Sequence, residues 1–263
     1  MLRTSEWINI FLFTFLMIVA WIRPLQLRRR FEVTAFGAAG IVLTLAGAYG
    51  SVTVIRDLLP SLIMLFVYWQ SGRFFIKPNE WIQEFFLRLD ERLVGPLLQQ
   101  HGNGKSRSLV ANCLEFCYLL CYPVVPLGVV VLYAVGLQSH VDDYWTVVLI
   151  STYCCYCLLP FVQMLPPRAL SPPADQNQKP RKLRILNLTV LKYASIQVNT
   201  FPSAHVASTF AASLVLLGLT PVAGVIFLII ATGIAGGAFL GRYHYAADVI
   251  LGILIACIVY LIR

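Results

Sequence analysis

The sequence predicts an all-α fold, a polytopic membrane bundle of about seven to eight transmembrane helices with one amphipathic helix at the interface. Hydrophobic residues make up 59% of the 263 residues and charged residues only 12%, whereas soluble domains carry about 45–50% and about 25%. Eight apolar runs reach or approach the length of about 20 residues that a spanning helix needs. The strict polar–apolar alternation of membrane β-barrel strands is not found in the sequence.

The apolar runs give the predicted spanning helices in chain order. The first ends in Trp21-Ile22-Arg23-Pro24 rather than at a small-residue cleavage site, so we interpret it as a retained helix. The third run is short, and whether it crosses the bilayer is left open. The runs are Trp7–Ile22, Val33–Ile55, Leu58–Trp69, Leu109–Gly136, Tyr144–Leu165, Phe201–Gly218, Pro221–Leu240 and Tyr245–Ile262.

Residues Asn79–Val94 predict a different kind of helix. Large apolar side chains such as Trp81 and Phe85 follow helical spacing on one side, and charged side chains such as Glu84 and Arg88 lie on the other. This pattern predicts an amphipathic helix on the membrane surface, and the alternative is a helix packed on a neighbour, which has the same pattern. Residues 99–107 predict a polar loop, and residues 171–182 predict a proline-rich basic connector.

The Lys and Arg residues that give the net charge of +8 lie mostly on one face of the predicted bundle. If all eight helices cross, 17 of the 20 Lys and Arg residues fall in segments 23–32, 71–108, 164–200 and 241–244, which share that face. Cytoplasmic loops of membrane proteins collect Lys and Arg. We therefore expect an integral membrane protein (of the plasma membrane if the source is bacterial) with this face in the cytoplasm, and no nucleic-acid partner.

The first candidate site segment is Asn199–His205. Pro202 is favoured just inside a helix start, because its missing N–H would be unsatisfied there. The segment therefore predicts a helix N-terminus, where backbone N–H groups and the helix dipole attract anions. Ser203 adds a hydroxyl donor, and His205 follows it.

The second candidate segment is Gly241–Asp248. His244 and Asp248 are four residues apart, so on a helix they share a face, and the carboxylate can hold one imidazole nitrogen. The hairpin of the sixth and seventh long helices predicts that His205 and His244 lie at the same membrane depth. Two histidines can divide the work of displacement at phosphorus.

Three cations are candidates to surround the histidines. Arg168 follows the fifth long helix, and Lys192 lies in the same loop, over residues 164–200. Arg242 precedes His244 by two residues. Cations and oriented N–H donors suit an oxyanion such as phosphate. Ordinary cytoplasmic-face cations are the alternative for Arg168 and Arg242.

Segments Phe201–His205 and His244–Asp248 resemble the second and third signature motifs of the type 2 phosphatidic acid phosphatase superfamily, over about Leu109–Ile262. Arg-Tyr-His-Tyr at 242–245 is similar to the inositol phosphotransferase-like branch. The resemblance implies that His244 forms a phosphohistidine, that Asp248 orients His244, and that His205 protonates the leaving alkoxide. It also implies that Ser203 holds phosphate oxygens.

Four positions depart from the usual motifs of that superfamily. Ala204 replaces a glycine, and Ala238 stands where the third motif has an arginine, so Arg242 would have to substitute. Phe161 stands where the first motif has a lysine, and Arg168 follows prolines rather than preceding one.

Three other residues and the cysteines each have a functional and a structural interpretation. Glu115 is either a functional intramembrane acid or a partner of an arginine, and Tyr243 and Tyr245 are expected to be interface aromatics. The seven cysteines fall in predicted spans without polar co-ligands, so we expect packing rather than metal binding.

These observations predict one integral membrane domain over residues 1–263, with accessory helices in 1–56 and a phosphatase-like core in 57–263. The predicted function is hydrolysis of a lipid-linked phosphate ester without metal or cofactor. Alternatives are transfer of a phospho-head group such as inositol phosphate to a lipid alcohol, and a non-catalytic anion-binding protein or transporter.

Overall fold

The computed structural model describes residues 1–99, 105–170 and 182–263. Within these ranges the chain is helical with no strand, which confirms the all-α fold. The helices are α1 (Thr4–Ile22), α2 (Leu27–Tyr49), α3 (Thr53–Gly72), α4 (Glu80–Gln99), α5 (Lys105–Leu119), α6 (Val124–Ala134), α7 (Val141–Leu158), α8 (Pro167–Leu170), α9 (Lys182–Ala194), α10 (Ala204–Leu219), α11 (Pro221–Leu240) and α12 (Ala246–Ile262).

The apolar helices fit an integral membrane protein. Among the described residues, α1, α2 and α11 are each long and apolar enough to cross a bilayer, and α5 with α6 adds a fourth span if the bent pair counts as one. Helices α10 and α12 are apolar but shorter. The number of seven to eight crossings stays a prediction.

The single helix predicted over Leu109–Gly136 is wrong. The chain turns by 70° between the end of α5 and the start of α6. Pro123 lies in this turn, lacks a backbone N–H and disfavours helical backbone in the residue before it. The turn matters for the site because it carries Tyr122, which contacts His205.

Other boundaries also differ from the predictions. The run Val33–Ile55 is divided, because α2 ends at Tyr49 and α3 begins at Thr53. The short run Leu58–Trp69 lies inside the 20-residue α3, and α7 ends before Pro160. The sequence does not predict α9. Residues 100–104 of the predicted polar loop, with His101, and residues 171–181 of the predicted connector lie outside the described residues.

Helix α10 lies at the centre of the bundle and contacts α6, α7, α11 and α12. Its buried side chains are mostly small, which lets neighbouring helices approach closely. At Gly252 of α12 an added Cβ would stand 2.8 Å from the carbonyl oxygen of Ser203. This close approach sets the start of α12 directly against the start of α10, where both candidate site segments lie.

The N-terminal helices are joined to α7 by buried hydrogen bonds. The hydroxyl of Tyr153 donates to the side chain of Asn9 at 2.6 Å, and the indole N–H of Trp145 donates to the carbonyl of Asp57 at 2.7 Å. Because α7 packs on α10, α1 and α3 support the centre of the bundle. The division into accessory helices and core stays a prediction.

Helix α4 has one side against the bundle and another exposed. Phe86 is 8% exposed and its ring lies 4.8 Å from Phe201 and 5.8 Å from Tyr245. Trp81 and Phe85 stack on each other and are 75% and 51% exposed. The helix therefore packs on a neighbour and also presents an apolar surface of the kind that enters a membrane interface.

Candidate functional site

The two histidines of the sequence motifs face each other. His205 lies in the first turn of α10, and His244 lies in the turn between α11 and α12. Their ring centroids are 6.1 Å apart and the rings are nearly perpendicular, at 81°. This separation is short enough for one reacting group to contact both imidazoles.

The turn that carries His244 folds back on the end of α11. The backbone N–H groups of Tyr243 and His244 both donate to the carbonyl of Ala238, at 2.9 Å each. Arg242 has a φ of +58°, which is uncommon for a residue other than glycine. The reversal at Arg242 directs His244 back toward the start of α10.

Asp248 lies behind His244, but not by the helical spacing that the sequence suggested. Helix α12 begins only at Ala246, so His244 precedes it and Tyr245 is the residue at its N-cap. The Oδ2 atom of Asp248 accepts a hydrogen bond from the backbone N–H of Tyr245 at 3.2 Å and lies 3.4 Å from Nδ1 of His244. With Nδ1 turned to the carboxylate, Nε2 of His244 is the nitrogen left for chemistry.

Asn199 begins the first candidate segment, but sequence reasoning assigned it no role in the site. Its side-chain amide donates to the same Oδ2 of Asp248 at 2.6 Å, and both residues are buried, at 1% and 0% exposure. Its backbone N–H donates to the carbonyl of Met164 at 2.9 Å, which ties the segment before α8 to the site. No periodicity marks this position in the sequence, because the contact spans 49 residues.

Ser203 is the N-cap of α10. The helix begins at Ala204, so the prediction that Pro202 lies just inside the helix is wrong by two residues. The backbone N–H of Ser203 donates to the carbonyl of Asp248 at 3.0 Å. Its hydroxyl is fully buried and has no hydrogen-bond partner within the described part of the chain. This hydroxyl and the helix N-terminus can therefore serve an anion.

Arg168 lies near enough to the histidines for its charge to act on both. Its backbone N–H donates to the carbonyl of Arg242 at 2.9 Å, and its guanidinium carbon lies 5.6 Å from the ring centre of Tyr243. Burial and then the charge of Arg168 lower the pKa of His244 from 6.5 to about 3. His244 is therefore neutral near pH 7, as a nucleophile requires.

The other two predicted cations lie differently. The Nε atom of Arg242 is buried and has no hydrogen-bond partner among the described residues. Lys192 is exposed on α9, with its ammonium 5.4 Å from the ring centre of Tyr193. The structure thus does not bring Lys192 together with the histidines.

Tyr243 and Tyr245 are buried, at 1% and 0% exposure, so their assignment as interface aromatics is wrong. Tyr243 stacks on Tyr118 with ring centroids 4.0 Å apart, and its hydroxyl donates to Glu115 at 2.6 Å. Glu115 also pairs with Arg184 at 3.1 Å, which favours its interpretation as the partner of an arginine. These contacts fix the turn that carries His244 from the side of α5 and α9.

Helix α4 fixes the same turn from the other side. The carboxylate of Asp90 accepts a hydrogen bond from the backbone N–H of Ala246 at 2.8 Å, and the amide of Gln83 contacts the hydroxyl of Tyr245. Gln83 also accepts from the backbone N–H of Leu165 at 2.9 Å. Among the described residues, no group of three or more His, Cys, Asp or Glu side chains has the arrangement of a metal site.

The arrangement suits displacement at a phosphorus atom. One neutral histidine backed by a carboxylate can attack, and a second histidine across the gap can carry a proton. Arg168, the Ser203 hydroxyl and the N-terminus of α10 can hold the equatorial oxygens of a phosphoryl group.

Comparison with known proteins gives one match. The family described as the PAP2 superfamily matches residues 84–262, about two thirds of the chain, and this region contains both histidines and Asp248. No curated protein and no solved structure matches the chain. The chain therefore belongs to the PAP2 superfamily, and this membership supports a phosphatase-like function on phosphoesters.

Proposed function

We propose that this protein is an integral membrane phosphatase that hydrolyses a lipid-linked phosphate ester through a phosphohistidine on His244. The observation that carries the proposal is the pair of histidines 6.1 Å apart, with Asp248 behind one of them. Family membership supports the phosphoester chemistry. The lipid, the covalent intermediate and the residue roles are our proposals.

In the first step Nε2 of His244 attacks phosphorus, and the bond between phosphorus and the ester oxygen breaks. His205 gives its proton to the departing alkoxide, so the alcohol leaves neutral. The negative charge of the bound phosphate stabilises protonated His205 before the step. Asp248 stabilises the positive charge that His244 gains on becoming phosphorylated.

In the second step a water molecule takes the place of the alcohol. His205, now neutral, accepts a proton from this water as its oxygen attacks phosphorus. The nitrogen–phosphorus bond breaks, inorganic phosphate leaves, and both histidines return to their starting forms. His205 makes the proton transfer in each step. Arg168 and Ser203 hold the phosphoryl oxygens in both steps.

The site lies where a lipid head group would meet it. His205 and His244 are at the ends of the apolar helices α10 and α11. Helix α4, whose Phe86 packs on Tyr245, exposes Trp81 and Phe85. A phosphate head group can therefore reach the histidines while its hydrocarbon stays in the membrane. From the distribution of Lys and Arg we propose the cytoplasmic face for the site.

The test is phosphate release by the purified full-length chain in detergent micelles containing phosphatidic acid. We expect His244→Ala to reduce release to background, because the nucleophile is lost. His140→Ala is the matched control: His140 is exposed beside Asp143, away from the site, and its loss should leave release unchanged. Normal release by His244→Ala would show that the proposed mechanism is wrong.

Adding inositol to a phospholipid reaction separates hydrolysis from transfer. A hydrolase releases the same product with and without inositol, because water completes the reaction. A new inositol-containing product would instead identify an alcohol acceptor, with the same residues in the same roles. Binding of inorganic phosphate without turnover of any ester would favour the non-catalytic alternative.

A further inference from the structure

A cavity of about 480 Å³ lies directly beside His205. Helix α3 supplies one wall with Leu62, Met64 and Leu65, and the turn between α5 and α6 supplies another with Tyr122. Parts of α6, α7, α9 and α10 also line it. The volume is within the range of about 300–1,000 Å³ that is usual for ligand pockets.

The lining is mostly apolar, and its polar groups are largely engaged within the protein. The hydroxyl of Tyr68 hydrogen-bonds to the hydroxyl of Ser195 at 3.0 Å and accepts from the backbone N–H of Ile196 at 3.1 Å. The indole N–H of Trp69 donates to the carbonyl of Ala194 at 3.0 Å. A polar ligand would lose hydration in this cavity without compensation, whereas a hydrocarbon chain would not.

The cavity has an open side. Leu62, Leu65 and Tyr122 line it, yet they are 45%, 40% and 38% exposed. These exposed apolar side chains lie on helices of an apolar bundle, so the opening suits direct entry of a chain from the lipid phase. Such an entry lets a lipid keep its tail in an apolar environment while its head group reaches His205.

The α3 wall is fixed in place but lies outside the region shared with the family. The hydrogen bonds of Tyr68 and Trp69 hold α3 to the end of α9, and the rings of Tyr68 and Tyr156 lie 5.9 Å apart. The match to the PAP2 superfamily begins only at residue 84. The shape of this cavity is therefore partly determined by a helix that the family match does not include.

We infer that this cavity holds the hydrocarbon chain of the leaving alcohol and that α3 determines which chain lengths fit. The inference rests on the proposed function, in which His205 protonates the departing oxygen. The chain bonded to that oxygen must then extend from the His205 side of the site, and the cavity lies on that side. The ligand class is the aliphatic chain of a lipid alcohol phosphate.

The experiment compares butyl phosphate with dodecyl phosphate as substrates of the full-length chain in nanodiscs. We expect Leu65→Trp, which fills the cavity, to lower kcat/KM for dodecyl phosphate at least about tenfold and for butyl phosphate less than about twofold. Met64→Ala, which enlarges the cavity, should favour hexadecyl over dodecyl phosphate. Ile55→Trp is the control, since Ile55 is 60% exposed on the same helix and outside the lining.

A binding measurement makes the inference testable without turnover. Calorimetry with the inactive His244→Ala chain should show at least about tenfold weaker binding of dodecyl phosphate when Leu65→Trp is added. Equal effects of Leu65→Trp on both esters, together with unchanged binding, would overturn the inference. If the wild-type chain releases no phosphate but Leu65→Trp still weakens binding, the proposed hydrolysis is wrong and the chain-binding site stands.

Discussion

Replacing Asn199 with leucine removes one hydrogen bond behind Asp248 and changes little else. The amide of Asn199 donates to Oδ2 of Asp248 at 2.6 Å, and both side chains are buried. The other polar atom of the amide, Oδ1, has no partner among the described residues, so its loss leaves nothing unsatisfied. The backbone N–H of residue 199 keeps its bond to Met164, and leucine has the same number of side-chain heavy atoms and the same branching at Cγ as asparagine.

The magnitude follows from the charge on the acceptor. A hydrogen bond to a charged group contributes about 1.5–3 kcal/mol. The negative charge of Asp248 matters most when His244 becomes positive, so much of this energy belongs to the transition state. We expect kcat for phosphate release to fall about 10- to 100-fold, with KM changed less than about twofold.

A matched control separates this effect from a loss of stability. Asn9 is also fully buried and makes one side-chain hydrogen bond, with Tyr153 at 2.6 Å, far from the histidines. Asn9→Leu should lower the denaturation midpoint at least as much as Asn199→Leu while leaving kcat of the folded protein unchanged. An unchanged kcat in Asn199→Leu would refute the reasoning. So would a double variant in which Asn199→Leu lowers kcat of the Asp248→Asn protein by the same factor as it lowers kcat of the wild-type chain.

Two further predictions concern charged residues. Burial raises the pKa of Asp90 from 3.8 to about 6, so the folded chain binds this proton more tightly than the unfolded chain. Asp90 therefore contributes a fall in the free energy of unfolding as pH rises from about 4 to about 6. Asp90→Asn should remove that contribution, and the difference between the denaturation midpoints of the variant and the wild-type chain, measured on both sides of this window, checks it. The same pH dependence in both chains would contradict the prediction. Arg168→Ala should lower kcat/KM roughly 10- to 100-fold because it removes a charge beside the bound phosphate. The control is Lys192→Ala, on the exposed face of α9, which should change kcat/KM less than about twofold. Equal losses of kcat/KM in the two variants would contradict the placement of Arg168.

The sequence predicted those features that depend on local pattern and chain connectivity. Long apolar runs predicted the all-α fold, and the hairpin of α10 and α11 predicted that His205 and His244 meet. The predicted closeness of Asp248 to His244 also holds, although the start of α12, rather than a shared helical face, produces it.

Features that depend on distant contacts were beyond a single sequence. Asn199 reaches Asp248 across 49 residues, and Tyr243 is buried because it stacks on Tyr118 and bonds to Glu115. The bend between α5 and α6 is different, since Pro123 is a local signal for it. Hydrophobicity outweighed that proline in the prediction, because mostly apolar residues continue on both sides of the bend.

The hydrogen bonds between α7 and the N-terminal helices have a consequence for how the protein can be divided. A chain reduced to residues 84–262 would keep every motif shared with the superfamily. It would lose the acceptors of the Tyr153 hydroxyl and the Trp145 indole, and each buried donor left without a partner costs about 1–3 kcal/mol. The region that matches the superfamily is therefore shorter than the region that satisfies the buried donors of α7, and a graft of this site onto another scaffold has to carry α1 and α3 with it.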